Sequence, residues 1–308
     1  MKRSVSIIIC TKDRAESLRL TLASLAAVEV PEGFQVELIV VDNGSVDGTR
    51  AVVQAASLGT TPARYLHEAR KGVSVAKNTG VAASTGEWLL FSDDDLRFPR
   101  NWIAAMCAPL FDGTVDAVQG GIRIAPHLER PWLKGALRIW VAAVEDPVRA
   151  PEGLVGANMA IRRSALRDVG GFDPRLGPGA SGFFDDTAVG WALTRAGRKI
   201  AYIPEVFVEH HFSKDRLGVR SYLDIARRMA VSYAVVSADR PAPQPAPSLA
   251  DLCSQVPKLA ARAVTQALRW AAGRGVDSGF VVRYYYFLRA LELRRLQRSR
   301  PAAANILP

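Results

Sequence analysis

Dense apolar runs alternate with helix-like segments along the first third of the chain, and this alternation restricts what the chain can fold into. The runs are continuous, without the strict exchange of apolar and polar side chains that marks a half-exposed strand. Continuous apolar strands are typical of parallel sheets that are covered on both faces. We therefore predict an α/β protein with a mainly parallel, Rossmann-like sheet and helices on both faces. The predicted strands are 4–10, 36–41, 64–66 and 87–91, and the predicted helices are 16–27, a segment after Asp47, and 73–83.

Length and composition narrow the class of protein. The chain has 308 residues, of which 49% are hydrophobic and 23% charged, which is enough for one large or two modest domains. This composition excludes collagen-like, disordered and disulfide-stapled chains. Three widely spaced cysteines indicate a reducing compartment, and no apolar stretch reaches the length of a membrane span. We expect a cytoplasmic protein whose contact with a membrane, where it has one, is peripheral.

A proline-rich segment gives the clearest boundary in the chain. Residues 241–247 read Pro-Ala-Pro-Gln-Pro-Ala-Pro, which cannot continue a helix and favours an extended linker. We predict a catalytic domain over residues 1–215 and a helical segment over 216–240. A basic helical extension over 248–308 is predicted to follow the linker.

Positive charge is concentrated in this extension. The whole chain carries a net charge of +10, and residues 248–308, with ten basic and three acidic side chains, account for +7 of it. An uneven basic charge indicates contact with something anionic, and we expect an anionic membrane surface; a solvated basic surface is the alternative. Nucleic acid is a less favoured partner, suggested by arginines interleaved with aromatic residues after position 280. Within 258–271 the basic and apolar side chains fall on different faces of a helix.

Polar clusters follow three of the predicted strands. They are residues 11–14, 42–45 and 93–95, the last being three consecutive aspartates. Polar groups at the carboxyl ends of parallel strands meet at one edge of the sheet, where ligands bind. Adjacent carboxylates repel one another but suit a hard cation, so 93–95 predicts a site for Mg²⁺ or Mn²⁺. The alternative is a loop that caps the helix predicted near Pro99.

Two nucleotide-binding motifs are missing from the sequence. No Gly-x-Gly-x-x-Gly follows the first strand, and no Gly-x-x-x-x-Gly-Lys-Ser/Thr occurs anywhere. Dinucleotide sites and P-loop sites are therefore not expected.

Several motifs, taken in order, resemble the inverting family 2 glycosyltransferases, which have the GT-A fold. The resemblance covers residues 4–212, and it implies a GT-A domain followed here by a C-terminal helical extension. The motifs are Ile-Ile-Cys-Thr-Lys-Asp-Arg at 8–14, Val-Val-Asp-Asn-Gly-Ser-Val-Asp-Gly-Thr at 40–49, Lys-Asn-Thr-Gly at 77–80, Phe-Ser-Asp-Asp-Asp at 91–95, Gly-Ala-Asn-Met-Ala-Ile-Arg-Arg at 156–163, Val-Gly-Gly-Phe-Asp at 169–173, Asp-Asp at 185–186 and His-His at 210–211.

This resemblance implies a nucleotide-diphosphate sugar as donor and a divalent cation, Mn²⁺ or Mg²⁺, as cofactor. Asp42 would accept a hydrogen bond from the base, which favours uracil or thymine and so a UDP- or dTDP-sugar. The residues implied for donor binding are Thr11, Arg14, Asp42, Lys71, Asn78, Asp93 and Asp94. The residues implied for the metal are Asp93, Asp95 and His210, with His211 as the competing position. Which of the three aspartates binds the metal stays open.

The resemblance also implies a catalytic base. Inversion requires a base that takes the proton of the attacking acceptor hydroxyl. Asp186 matches the base, with Asp185 beside it at the start of a predicted helix, where an ionised carboxylate is favoured. The pair is Asp-Asp where the family usually has Glu-Asp, and Ala188 stands where a further carboxylate is common. Either departure is compatible with catalysis.

We therefore expect a metal-dependent inverting glycosyltransferase that uses a glycan, lipid-linked or small-molecule acceptor. The alternatives are a sugar-1-phosphate nucleotidyltransferase and an inactive GT-A scaffold, and the presence of Asp186 favours the transferase. A Gln-x-x-Arg-Trp pattern at 266–270, typical of processive polysaccharide synthases, is interpreted as coincidence because no spanning helices accompany it.

Overall fold

The structure is a computed structural model that describes residues 3–111, 113–146, 150–151, 153–238 and 247–299. The predicted proline-rich linker lies outside these residues, except for its last proline. The strands are β1 (Arg3–Thr11), β2 (Phe34–Asp42), β3 (Ser57–Leu58), β4 (Thr61–Pro62), β5 (Arg64–His67), β6 (Trp88–Ser92), β7 (Leu96–Arg97), β8 (Ala117–Ile124), β9 (Asn158–Arg162) and β10 (Ile200–His210). The helices are α1 (Ala15–Ala26), α2 (Thr49–Gln54), α3 (Val73–Ala83), α4 (Trp102–Phe111), α5 (Ala136–Trp140), α6 (Arg163–Asp168), α7 (Asp185–Arg195), α8 (Val219–Ala238), α9 (Leu249–Ala271) and α10 (Ser278–Ser299), with 3₁₀ turns at Pro126–Leu128 and Lys214–Leu217.

The large sheet has the strand order β5-β2-β1-β6-β9-β8-β10-β7. β5, β2, β1 and β6 run parallel to one another, and β8 runs parallel to β10. β9 lies between β6 and β8 and is antiparallel to both, and β7 is antiparallel to β10. This confirms the predicted α/β class with a mainly parallel sheet. The sequence does not predict the direction of β9, because a short buried run reads the same in either direction.

The strands bury both of their faces, as their continuous apolar runs predict. Alternate residues of β1 point to opposite sides: Ile7 and Ile9 pack with Leu18 and Leu22 of α1, whereas Ile8 lies in a second core. The first core also takes in α2 and α4, and the second takes in α3, α6 and α7. Helices therefore cover the sheet on both faces.

The chain divides into two compact units. The first consists of Met1–Glu129, Ala142–Ala180 and Asp185–Phe212 and contains the large sheet. The second consists of Arg130–Val141, Ser181–Phe184 and Ser213–Pro308.

The second unit is helical. Its described residues include α5, α8, α9 and α10, of which α9 and α10 lie in the C-terminal helical extension that we predict. Tyr222 of α8 is fully buried and donates a hydrogen bond to the Leu137 carbonyl (3.1 Å). The guanidinium of Arg289 on α10 stacks 3.6 Å from the centre of the Tyr233 ring on α8. These contacts join the helices through aromatic side chains.

Residues of the Gln-x-x-Arg-Trp pattern hold the turn between α9 and α10. Gln266 donates to the Gly275 carbonyl (3.2 Å) and accepts from the Asp277 amide (2.6 Å). Arg269 donates to the Arg274 carbonyl (2.9 Å). Both side chains are thus engaged with the backbone of the turn.

None of the helices in the described part of the chain combines the length and the apolar character that crossing a bilayer demands.

Candidate active site

The polar clusters that follow β1, β2 and β6 meet at one edge of the sheet. The last residues of β1 and β2, Thr11 and Asp42, are paired in register, and Ile9 of β1 is level with Ser92 of β6. Asp93, the next residue after β6, therefore follows its strand at the same level. The topology thus brings together the residues that the sequence predicts to share a site.

Arg14 bridges two of the three consecutive aspartates. Its two terminal nitrogens lie 2.6 Å from Asp94 and 2.7 Å from Asp95, and both carboxylates are almost fully buried. Thr11 donates to the other oxygen of Asp94 (2.6 Å), and Ser17 donates to its carbonyl (2.9 Å). Burial raises the pKa of Asp94 to about 7 despite the opposing charge of Arg14.

Asp95 and His210 form a second contact at this edge. Nε2 of His210 lies 3.3 Å from Oδ1 of Asp95, and 2% of each side chain is exposed. Burial alone would raise the pKa of Asp95, but His210 and Arg14 outweigh it and hold that pKa well below its usual range. The neighbouring His211 is instead half-buried, with Nε2 3.3 Å from a carboxylate oxygen of Glu209.

The Asp95–His210 pair fits a divalent cation. Ligand atoms at neighbouring corners of an octahedral Mg²⁺ site lie about 3 Å apart, close to the separation observed here. Oδ1 of Asp95 is buried, and no described residue gives it a well-aligned hydrogen bond. Carboxylate oxygen suits Mg²⁺ and Mn²⁺, and imidazole is a common metal ligand. Across the described ranges, no cluster of three or more His, Cys, Asp or Glu side chains could hold an ion.

Asp93 is the aspartate that links the two sides of the site. Its pKa is raised by burial and by the Asp95 carboxylate, against the charges of Lys77 and His210. Asp93 therefore lies within electrostatic range of both the Asp95–His210 pair and the Lys77–Asp185 pair. It is less buried than Asp94 and Asp95.

Asp42 is the last residue of β2, and its side chain is buried. One of its oxygens accepts a hydrogen bond from the Ser45 amide and the other accepts one from the Tyr65 hydroxyl, both at 2.8 Å. Tyr65 belongs to β5, the strand that pairs with β2. The sequence gives no signal for Tyr65, because it lies inside a short strand without a motif.

The loop before α3 carries Lys71. The Lys71 side chain is exposed, and buried Asn43 supports the loop around it. The Asn43 amide donates to the carbonyls of Glu68 (3.0 Å) and Arg70 (2.6 Å) and accepts from the Gly72 amide (3.0 Å).

Asn78 lies on α3 and binds a backbone segment. Its side chain donates to the Phe172 carbonyl (2.7 Å) and accepts from the Phe172 amide (3.0 Å). Both polar groups of the amide are thus committed to the loop that follows α6. The contact attaches this loop to α3.

Asp185 and Asp186 begin α7 and lie beside a buried lysine. Nζ of Lys77 is 2.7 Å from Oδ2 of Asp185. The carboxylates of Asp185 and Asp186 raise the pKa of Lys77 and outweigh its burial. Lys77 belongs to a motif of the sequence, but the sequence does not predict that it pairs with α7, because 107 intervening residues separate the two in the chain.

Asp186 is held in one orientation by the backbone. Its Oδ2 accepts from the Gly156 amide (2.5 Å) and its Oδ1 accepts from the Thr187 amide (2.7 Å). The helix N-terminus favours the ionised form, but burial and the charge of Asp185 raise the pKa of Asp186 to about 6. At neutral pH the carboxylate is ionised and can accept a proton.

The residues that the sequence predicts thus fall into two clusters and three separate positions. One cluster is Thr11, Arg14, Asp94, Asp95 and His210. The other is Asp185 and Asp186 with Lys77, and Asp93 lies within electrostatic range of both clusters. Asp42 lies at the end of β2, Lys71 is exposed on its loop, and Asn78 is bound to the backbone of the loop after α6.

Two named proteins are similar in sequence to more than two thirds of the chain. It is 30% identical over 215 residues to the pre-mycofactocin glycosyltransferase of Mycobacterium tuberculosis, covering 68% of this chain and 43% of that protein. It is 29% identical over 234 residues to the succinoglycan biosynthesis protein ExoM of Rhizobium meliloti, covering 70% of this chain and 69% of that protein. The chain therefore spans less than half of the first relative.

A solved structure shares the fold. The mannosyltransferase PcManGT from Pyrobaculum calidifontis, in complex with GDP-Man and Mn²⁺, superposes with a TM-score of 0.63 at 21% identity. The match covers 96% of this chain and 88% of that chain, and it shows the GT-A fold. The family model for glycosyl transferase family 2 matches residues 6–170, more than half of the sequence, and the chain belongs to that family.

Proposed function

We propose that this protein is an inverting glycosyltransferase that moves a hexose-type sugar from a nucleotide-diphosphate donor to an acceptor hydroxyl. The observation that carries the proposal is that two buried pairs, Asp95–His210 and Lys77–Asp185, both act electrostatically on Asp93. A donor site and a base side by side are what a transfer in one step requires.

Asp186 is proposed to be the catalytic base. Hydrogen bonds from Gly156 and Thr187 fix the carboxylate, and the pKa of about 6 keeps it ionised at neutral pH while it remains able to take a proton. The acceptor hydroxyl would attack the anomeric carbon from the face opposite the diphosphate and give its proton to Asp186. The bond from the anomeric carbon to the diphosphate oxygen breaks in the same step, and the nucleoside diphosphate leaves.

Asp95 and His210, with Asp93 beside them, are proposed to hold Mn²⁺ or Mg²⁺. When bound, such an ion neutralises the charge that develops on the leaving diphosphate. The donor diphosphate and water would complete the ligand set, since Mg²⁺ sites commonly use one or two carboxylates and substrate phosphates. Thr11 and Arg14, which contact Asp94, would line the donor pocket.

The donor is proposed to be a UDP- or dTDP-sugar. Asp42 is the acceptor for a ring N–H of the base, and Lys71 and Asn78 are assigned to the donor side. A GDP-sugar is the second candidate, because guanine also carries a ring N–H and PcManGT, which shares the fold, was solved with GDP-Man. The acceptor is proposed to be a glycan or a lipid-linked sugar, in line with the succinoglycan role named for one relative.

Calorimetric titration tests the donor site. UDP, dTDP, GDP and ADP would each be titrated into the protein with Mn²⁺ and again with a chelator. We expect one uracil or thymine nucleotide to bind with Mn²⁺, and both the chelator and Asp93→Ala to abolish binding. Tighter binding of GDP would replace the UDP or dTDP assignment, and no binding of any nucleotide would contradict the proposed function.

A further inference from the structure

Helix α9 exposes a continuous apolar face. At 100° per residue, its apolar side chains fall on one side of the helix and its polar side chains on the other. Val264 and Leu268 are 61% and 67% exposed, although both are large and apolar. The exposed apolar residues on this face are Leu249, Cys253, Val256, Ala260, Val264, Ala267, Leu268 and Ala271.

Most of this face is not the side that attaches α9 to the rest of the unit, although Val256 and Ala260 also line a groove with Phe280 and Tyr284 of α10. The buried residues of α9 are Leu252 and Gln266, and Gln266 bonds to the turn that leads into α10. On a helical wheel both lie to one side of the exposed apolar face. The helix can therefore keep its packing while its apolar face contacts a partner.

The extent of the face indicates that something covers it. A helix of 23 residues is about 35 Å long at 1.5 Å per residue, and the apolar residues recur along all of it. Scattered exposed apolar side chains are normal on a protein, but a continuous apolar patch marks an interaction surface. Trp270, 74% exposed, lies at the edge of the face and suits the boundary between water and an apolar phase.

The positive charge around α9 indicates the chemical class of the partner that covers the apolar face. Residues 249–299 contain nine basic and three acidic side chains, a net charge of +6 out of +10 for the whole chain. The polar side of α9 carries Lys258 and Arg262, and Arg274, Arg295 and Arg298 are exposed on the turn and on α10. A second copy of this chain would bring the same positive charge to the contact, which disfavours self-association.

We propose that α9 lies on an anionic lipid bilayer, with its apolar face buried among the headgroups and its axis in the plane of the membrane. An amphipathic helix that combines a basic polar face with apolar and aromatic residues has the character of an interfacial helix. Basic side chains that come within about one Debye length, roughly 10 Å, of the headgroups would add electrostatic attraction. The inference does not depend on the proposed reaction.

Vesicle flotation tests the proposal. The full chain would be floated with phosphatidylcholine vesicles and with vesicles containing 30% phosphatidylglycerol, at low and high salt. We expect binding to the anionic vesicles only, weakened by at least tenfold at high salt. Binding should shift the protein fluorescence to shorter wavelength, and Trp270→Phe should reduce that shift.

Two matched variants distinguish the contribution of the apolar face to vesicle binding from the general effect of substituting residues on α9. Val264→Gln/Leu268→Gln makes the apolar face polar without changing the charge, and we expect it to weaken vesicle binding by at least tenfold. Ser254→Gln/Thr265→Gln places the same residue at two exposed positions of the polar side and should bind as the unchanged protein does. All four side chains are largely exposed, so both variants should fold, and circular dichroism would verify this.

Two results would overturn the proposal. One is vesicle binding that survives Val264→Gln/Leu268→Gln, which would mean that another surface binds the lipid. The other is a dimer in light scattering that Val264→Gln/Leu268→Gln dissociates, together with no binding to vesicles. That result would make the apolar face of α9 a contact between two copies.

Discussion

The ammonium group of Lys77 lies 2.7 Å from a carboxylate oxygen of Asp185, and less than a tenth of either side chain is exposed. The same ammonium group acts electrostatically on Asp186 and Asp93. One buried cation thus compensates three carboxylates that come from two different parts of the chain. Its position connects the proposed base with the proposed donor site.

Removal of this cation should destabilise the protein. Lys77→Met leaves the buried Asp185 carboxylate without its ion pair, and such losses cost about 3–5 kcal/mol. We expect a reduction of that size in the free energy of unfolding, measured by urea denaturation. Lys71→Met, at an exposed position in the loop before α3, should change it by less than about 0.5 kcal/mol. The double variant Lys77→Met/Asp185→Asn should be more stable than the sum of the two single losses in unfolding free energy predicts. Fully additive losses would show that Lys77 and Asp185 do not interact.

Asp186→Asn should separate catalysis from donor binding. The amide cannot take the proton of the acceptor hydroxyl, so kcat should fall by about 10²–10⁴-fold. Donor affinity, measured by calorimetry, should stay within about threefold, because Asp93, Asp95 and His210 are unchanged. Asp168→Asn, at a partly exposed carboxylate that pairs with Arg198, is the control and should keep its activity. Unchanged turnover in Asp186→Asn would remove this residue from the mechanism.

The activity should decline in acid with the titration of Asp186. The pKa of this carboxyl is raised to about 6 by burial and by Asp185, so below that pH the folded protein holds it protonated and unable to act as a base. We expect kcat/KM to fall about tenfold per pH unit below pH 6. A decline that follows donor affinity, measured by calorimetry at each pH, would assign the effect to the donor side and to Asp94, whose pKa is about 7.

The raised pKa of Asp186, which lowers activity in acid, should increase the stability of the folded protein in acid. A raised pKa means that the folded state binds the proton more tightly than the unfolded state does, so this group adds stability in acid and loses it as the pH rises through about 6. The difference in unfolding free energy between the unchanged protein and Asp186→Asn should therefore depend on pH between about 4 and 6. An equal difference at both ends of this range would contradict the assigned pKa.

Arg14 should act as a substitute for a divalent cation. It bridges the buried carboxylates of Asp94 and Asp95, so Arg14→Met should lower the melting temperature in the absence of metal. Mn²⁺ should then raise the melting temperature of Arg14→Met more than that of the unchanged protein, because the ion replaces the lost charge. Arg19→Met, which breaks an exposed pair with Glu16 on the same helix, is the control and should show neither effect. Equal responses to Mn²⁺ in all three proteins would place the ion elsewhere.

The sequence predicts the sheet and its ligand-binding edge because both depend on local patterns. The apolar runs that become β1, β2 and β6 each end in a polar cluster, and parallel pairing places those ends side by side. The sequence does not show which side chains contact residues that are distant in the chain. Lys77 and Tyr65 gain their roles from contacts with α7 and β2, and no local pattern marks a residue for a partner that is distant in the chain.

The packing of α9 in the C-terminal extension is likewise not predictable from the sequence. The separation of basic from apolar side chains is visible in the sequence, but which side is buried depends on the packing of α9. A helix with an apolar face is ordinarily read as one that buries that face in the core. In the structure Leu252 and Gln266 are buried instead, and the apolar face is exposed.

Asn43 should affect donor binding without touching the donor. It is buried and makes three hydrogen bonds to the backbone of residues 68–72, the loop that carries Lys71. Asn43→Ala would leave those backbone groups unpaired, at about 1–3 kcal/mol, and would release the loop. If Lys71 contacts the donor as proposed, Asn43→Ala and Lys71→Met should each lower donor affinity, and the double variant should lose little more than either one. Fully additive losses would show that Asn43 does not act through Lys71.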